Sequence, residues 1–75
     1  MATSFARFAA SVKSNAGQYA TKTACKRMLT ILARRYAASG SFGSVDYERR
    51  EAIAAIQDRW QVLDGIERDA RNENL

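Results

Sequence analysis

Residues 46–70 read DYERREAIAAIQDRWQVLDGIERDA, and their apolar side chains recur in alternating steps of three and four. This spacing places one apolar stripe along an α-helix and is typical of a coiled-coil seam. We therefore expect a helix over about residues 45–72. Ile66 widens its stripe, Glu67 interrupts it, and Gly65 indicates a bend or a close backbone approach. The seam, which would pack either within a hairpin or between two copies of the chain, consists of Ile53, Ile56, Trp60 and Leu63.

A second amphipathic pattern precedes this stretch and predicts a helix over about residues 18–38. At about 100° per residue, Leu32 and Tyr36 fall on one apolar arc, and basic side chains occupy the opposite arc. The intervening residues 39–44 read SGSFGS. They predict a loop, with Gly40 near the C-cap of the helix before it.

A shorter apolar stripe of Phe5, Phe8 and Val12 predicts a first helix over about residues 3–14. The chain has no proline and fourteen alanines, which favours helix, and no segment alternates as a strand would. We therefore predict an all-α fold, a short N-terminal helix plus a long antiparallel αα-hairpin, in one domain over residues 1–75. The third helix should exceed the second by about 10 Å, and we expect the first helix to cover that excess.

The chain is small for a stable monomer. At 75 residues its core is expected to supply no more than about 3–5 kcal/mol. One cysteine and no histidine exclude an internal disulfide and a zinc site as extra stabilisation. We therefore expect oligomerisation, most simply a homodimer, to complete the core. Stable docking on another protein is the alternative.

Charge is distributed unevenly along the chain. Residues 1–45 contain seven basic groups and no acid, whereas residues 46–75 contain eight acids and five arginines, so the two parts carry +7 and −3. This asymmetry indicates either an anion-binding region or two oppositely charged segments that pair. The residues expected to contact an anionic partner or nucleic acid are Lys22, Lys26, Arg27, Arg34 and Arg35.

Aromatic and arginine side chains are the residue types that most often anchor protein interfaces. Phe42 stands out among them because it lies in a glycine-flanked loop, where it would either fill a partner's pocket or fold back over the hairpin. The candidate protein-interface residues are Tyr36, Phe42, Tyr47, Arg49, Arg50, Arg59 and Trp60.

The residues present argue against an enzyme. The absence of histidine removes the usual general base at neutral pH. Cys25 lies on the apolar arc of the second helix and is interpreted as a small buried hydrophobic residue. We find no phosphate-binding loop and no metal-ligand spacing, so we expect no catalytic residue, no cofactor and no metal.

A cytoplasmic location is expected, because no apolar run approaches the roughly 18 residues of a membrane span. The acid-free first half has the composition of a transit peptide. Its removal would leave a single helix with nothing to pack against, so we expect it to belong to the folded protein. Membrane binding through the short first helix is a weaker alternative.

Our first hypothesis is a small, non-enzymatic helical protein that docks on a larger protein or ribonucleoprotein and modulates or inhibits it. Chains of this size and class are common among phage and mobile-element inhibitors. The first alternative is a nucleic-acid-binding dimer that uses the basic face of the second helix. The second alternative is a structural subunit whose apolar edge is permanently covered within a larger assembly.

Overall fold

The computed structural model describes residues 4–40 and 43–73, which form three α-helices and one 3₁₀ turn. Within those ranges there is no strand, and the predicted all-α fold is confirmed. In chain order the elements are α1 (Ser4–Asn15), the 3₁₀ turn (Ala16–Gln18), α2 (Lys22–Ser39) and α3 (Asp46–Glu73).

Helices α2 and α3 form the predicted antiparallel hairpin. Lys22, the first residue of α2, contacts Asp64 near the far end of α3. At the loop end, where α2 ends and α3 begins, the Arg49 guanidinium lies 4.7 Å from the centre of the Tyr36 ring. The two helices therefore run side by side in opposite directions.

Helix α1 packs at the loop end of this hairpin. The rings of Phe5 and Tyr36 lie 5.5 Å apart, and Lys13 Nζ lies 3.7 Å from Glu51 Oε2. These contacts make α1 antiparallel to α2 and parallel to α3. The expectation that the first helix covers the far end of α3 is wrong, because residues 66–72 are exposed. At twelve residues, α1 reaches only about 18 Å along the hairpin.

The core lies where the three helices meet. Ile56 is fully buried and Leu63 is 9% exposed, so the predicted seam packs within the chain. Ile53 and Trp60 are only half-buried beside it, and Ala52 is fully buried instead. The buried stripe of α3 is thus shifted by about one residue from the predicted stripe, because α1 and α2 both pack on α3. The buried residues are Phe5, Ala9, Val12, Ala16, Cys25, Leu32, Val45, Ala52, Ile56 and Leu63.

The beginning of α2 differs from its prediction by about one turn. The helix begins at Lys22, not near residue 18, and the Thr21 side chain accepts a hydrogen bond from the Ala24 N–H at 3.0 Å. Tyr19 is extended, and its carbonyl oxygen accepts a hydrogen bond from Arg59 Nε at 2.8 Å. This contact with α3 holds the connection outside the helix.

The end of α2 agrees with expectation. Gly40 is the C-cap residue and has φ 67°, a left-handed conformation that glycine adopts without steric cost. The close backbone approach suggested at Gly65 is wrong. Among the described residues, no atom outside its own stretch of helix lies within 4 Å of the position that a Cβ there would take.

No described helix combines the length and the apolar character needed to cross a bilayer.

Candidate functional site

The outward surface of α2 carries three exposed cations, Lys26, Arg27 and Arg34, which we call the basic face. The opposite side of the helix is fixed in the core by Cys25 and Leu32. Over residues 4–40 and 43–72, no carboxylate lies within salt-bridge distance of these three cations. Neither α1 nor α2 contains an acidic residue. The charge of the basic face is therefore uncompensated and attracts anionic groups.

Lys22 was predicted to contact the same anionic partner, but the structure places it elsewhere. Its Nζ lies 2.9 Å from both Asp64 Oδ1 and Glu67 Oε2, and 4.9 Å from the centre of the Trp60 ring. The hydrogen bond to Asp64 raises the pKa of Lys22 and lowers the pKa of the Asp64 carboxyl. Because two carboxylates of α3 already neutralise this cation, Lys22 is not part of the basic face.

Arg35 points sideways from the basic face. Its guanidinium lies 4.3 Å from the centre of the Phe8 ring, over the contact between α1 and α2. A shallow cavity of about 390 Å³ beside it is lined by α1 and the last turns of α2. Arg35 thus covers the α1–α2 contact and stays exposed to solvent.

A second feature adjoins the basic face. The α2–α3 groove has a volume of about 500 Å³ and lies on the side of the hairpin that α1 leaves open. Leu29 and half-buried Trp60 give it an apolar floor, two glutamine amides add hydrogen-bonding groups, and Lys26 supplies a cation. Its lining residues are Lys26, Leu29, Gln57, Trp60 and Gln61.

Several predicted interface residues make contacts within the chain. Tyr36 packs on Phe5, and Arg49 stacks on Tyr36 while it donates to Asp46 Oδ1 at 2.8 Å. Arg59 binds the backbone before α2 through its Nε. These side chains hold the fold together, and Phe42 lies outside the described residues.

Two other candidates are exposed near the beginning of α3. Tyr47 is 70% exposed, and its hydrogen bond with Glu51 raises the pKa of Tyr47 and lowers the pKa of Glu51. Arg50 Nε lies 2.8 Å from Asp46 Oδ2. Tyr47 and Trp60 are thirteen residues apart, about 20 Å along the helix. The structure therefore does not bring the predicted aromatic and arginine residues into one surface.

Sequence reasoning missed the two glutamines of the groove. Gln57 and Gln61 lie three residues before and one after Trp60, so both were close to a residue already singled out. Their spacing alone does not say which flank of the seam stays open. That depends on the side on which α1 packs.

The thiol of Cys25 and the carboxylates of α3 are the groups relevant to covalent or metal chemistry. Cys25 is fully buried, and no three His, Cys, Asp or Glu side chains come together as possible metal ligands within the described ranges. The geometry instead joins an uncompensated cationic helix face to a partly apolar groove. Comparison with known protein families, curated proteins and solved structures finds no match to this chain.

Proposed function

We propose that this protein is a non-enzymatic binding protein that docks on an acidic surface of a larger protein or ribonucleoprotein and modulates it. One observation carries the proposal: Lys26 belongs to the basic face and also borders the α2–α3 groove. Cationic and apolar recognition thus meet on one side of the hairpin. An amphipathic segment with acidic and apolar side chains fits both features.

The apolar lining of the groove favours a protein segment over nucleic acid. A phosphate backbone would pair with the basic face but would leave Leu29 and Trp60 without an apolar partner. Single-stranded nucleic acid stacks successive bases on several rings, whereas the groove lining contains one ring, Trp60, and the cations of the basic face are interspersed with threonine and alanine. A helix carrying leucines and glutamates satisfies the charge and fills the groove.

Modulation by occupancy follows from this mode of binding. A chain that covers a partner's acidic surface would block or stabilise whatever that surface normally contacts, without any reaction of its own. We therefore propose an inhibitor or adaptor role in the cytoplasm. The binding role rests on the basic face and the α2–α3 groove, and the cytoplasmic location is carried over from the sequence analysis.

The test uses defined probes. A fluorescein-labelled amphipathic peptide built of glutamate and leucine, a duplex DNA and a single-stranded RNA are each titrated with the protein, and anisotropy is followed at low and high salt. We expect the peptide to bind more tightly than either nucleic acid and to keep part of its affinity at high salt, because apolar contacts are not screened. Tighter binding of DNA or RNA, lost at high salt, would instead support the nucleic-acid alternative.

Two charge-matched variants show whether the basic face is responsible for binding the peptide. Lys26→Gln, Arg27→Gln and Arg34→Gln together remove three charges from α2. Arg50→Gln, Arg68→Gln and Arg71→Gln remove three exposed charges from α3. We expect only the first variant to weaken peptide binding. Equal loss in both would mean that net charge alone attracts the peptide, and the proposed surface would be wrong.

A third variant tests the groove. Gln57→Glu with Gln61→Glu places two carboxylates beside Trp60 without removing any apolar group. These carboxylates would repel an acidic segment, so peptide affinity should fall although the basic face is intact. Unchanged affinity would exclude the groove from the binding site.

A further inference from the structure

Two large apolar side chains are exposed on a different face of α3. Val62 is 52% exposed and Ile66 is 59% exposed, and they lie one turn apart. The same line along α3 passes earlier through Glu51, where α1 covers it. Beyond the end of α1, nothing in the described part of the chain covers Val62 or Ile66.

The surface beside Val62 has room for another helix. A groove of about 340 Å³ opens where α1 ends. Ala16, Gly17 and Ala55 line part of it, and such small side chains let a second backbone approach closely. Residues 66–72 extend past α1 and are exposed. Glu67 pairs with Lys22 in this stretch, but a helix end with few tertiary contacts is only marginally stable in water, so a partner there would also stabilise α3.

A basic residue precedes this apolar pair along α3, and an acidic residue follows it. Arg59 lies three residues before Val62, and Asp69 lies three residues after Ile66. We call these four residues the α3 strip. Their spacing of three, four and three places them on one face of the helix. The order along the strip is basic, apolar, apolar, acidic.

A second copy laid antiparallel on the strip brings opposite charges together. Around a twofold axis between Val62 and Ile66, Arg59 of each copy faces Asp69 of the other, and Val62 faces Ile66. A parallel copy would place each charge opposite its own kind. Among the described residues, Asp69 has no cation within salt-bridge distance, and the contact that the structure records for Arg59 uses only its Nε. Both therefore keep capacity for a charged partner.

We infer that a second copy of this chain binds the α3 strip antiparallel and forms a twofold dimer. The seam residues Ile56 and Leu63 are buried within each chain, so the dimer uses a different face of α3. The strip is short compared with the roughly 800 Å² per partner of a standard stable interface. The dimer is therefore weak and forms as concentration rises. This surface is separate from the basic face, so the two proposals succeed or fail independently.

Sedimentation equilibrium over a range of protein concentrations tests the inference. The unmodified chain should change from monomer to dimer, and Ile66→Glu should raise the dimer Kd by about tenfold or more. Ala54→Glu is the matched control, because it adds the same charge at an exposed position of α3 outside the strip. A chain that stays monomeric at millimolar concentration, or a dimer whose Kd does not respond to Ile66→Glu, would overturn the inference.

Charge exchange then tests the orientation of the two copies. Arg59→Glu alone places Glu opposite Asp69 of the other copy, and Asp69→Arg alone places Arg opposite Arg59. Each variant should dimerise less than the unmodified chain. An equimolar mixture should restore a heterodimer, because both cross-pairs are again of opposite charge. Failure of the mixture to associate would exclude the antiparallel pairing.

Circular dichroism is measured on both variants, since Arg59→Glu also removes the bond to the Tyr19 carbonyl. If that variant does not fold, Asp69→Arg alone still tests the orientation of the two copies, because this substitution breaks no ion pair among the described residues. A dimer whose Kd is unchanged by Asp69→Arg would contradict the inferred pairing.

Discussion

Lys22 joins the two arms of the hairpin at the end opposite the loop. Its ammonium lies between the carboxylates of Asp64 and Glu67 and over the ring of Trp60. Asp64 also lies 3.4 Å from Arg68, so the cluster contains two acids and two bases. Networks of this kind contribute more than isolated surface pairs, although solvent still screens them.

The Lys22 cluster predicts how stability depends on pH. The pKa of Asp64 is lowered in the folded chain. Its contribution to the free energy of unfolding is therefore present above the unfolded pKa of about 3.9, and it is lost as pH falls through the lower folded value. The pKa of Lys22 is raised, so its contribution is present below about pH 10.4 and is lost as pH rises through the higher folded value. Lys22→Gln should therefore destabilise the protein most near neutral pH, with a smaller effect at both extremes.

Urea denaturation of both proteins across the pH range measures this difference in unfolding free energy. Lys26→Gln serves as the control, because no carboxylate among the described residues lies within salt-bridge distance of Lys26. Its effect should not vary with pH. A Lys22→Gln effect that is equally flat would show that the cluster contributes nothing to stability.

Two glycines of α2 and α3 should respond to alanine in opposite directions. Gly40 has φ 67°, where an added Cβ costs about 1 kcal/mol, so Gly40→Ala should destabilise the protein by about that amount. Gly65 lies inside α3 with open space around it, so Gly65→Ala should stabilise the protein by about 0.5–1 kcal/mol. Urea denaturation at low protein concentration compares them. Shifts of the same sign would contradict the assigned backbone conformations.

At the scale of single residues, burial was more predictable than contacts. The buried position of Cys25 follows from the periodicity of α2, and the structure confirms it. The partners of Lys22 are 42 and 45 residues away, and no local pattern identifies them. Helical periodicity therefore separates core from surface, but it does not tell a free surface cation from a paired one.

At the scale of the elements, the beginning of α2 depends on a side-chain cap. Thr21 is extended and caps the helix through the Ala24 N–H. Thr21→Ala should therefore cost about 1 kcal/mol of unfolding free energy. Thr23→Ala, an exposed change within the first turn, should leave stability nearly unchanged. Urea denaturation of both variants provides the measurement, and equal effects would mean that Thr21 is not the cap.

The number and type of the elements were predictable from their composition and apolar spacing, because helices form where an apolar stripe can be buried. Their arrangement was not. The stripe of α1 shows that this helix packs, but the choice between the two ends of the hairpin depends on Tyr36 and Glu51, which are distant in sequence. That choice decides which flank of α3 stays open. It therefore decides where the α2–α3 groove and the α3 strip lie.

The molecule as a whole is elongated, with extents of 53 × 18 × 16 Å. Its charge is separated across the short dimensions, since the charged residues of α1 and α2 are all basic and every described acid is on α3. The basic face and the α3 strip belong to different helices. A dimer joined through α3 would therefore present two basic faces at once, and a repetitive or twofold acidic partner would gain avidity from it.

The overall length of the dimer distinguishes the α3 strip from the other open surface. Two 53 Å protomers that overlap over residues 55–73, about 27 Å of helix, give a maximum dimension of about 80 Å. Two copies packed side by side through their α2–α3 grooves would remain close to the 53 Å of one protomer. Small-angle X-ray scattering over a concentration series measures this dimension directly. We expect it to lengthen with concentration in the unmodified chain and in Ala54→Glu but not in Ile66→Glu, and a dimer no longer than its protomer would place the contact elsewhere.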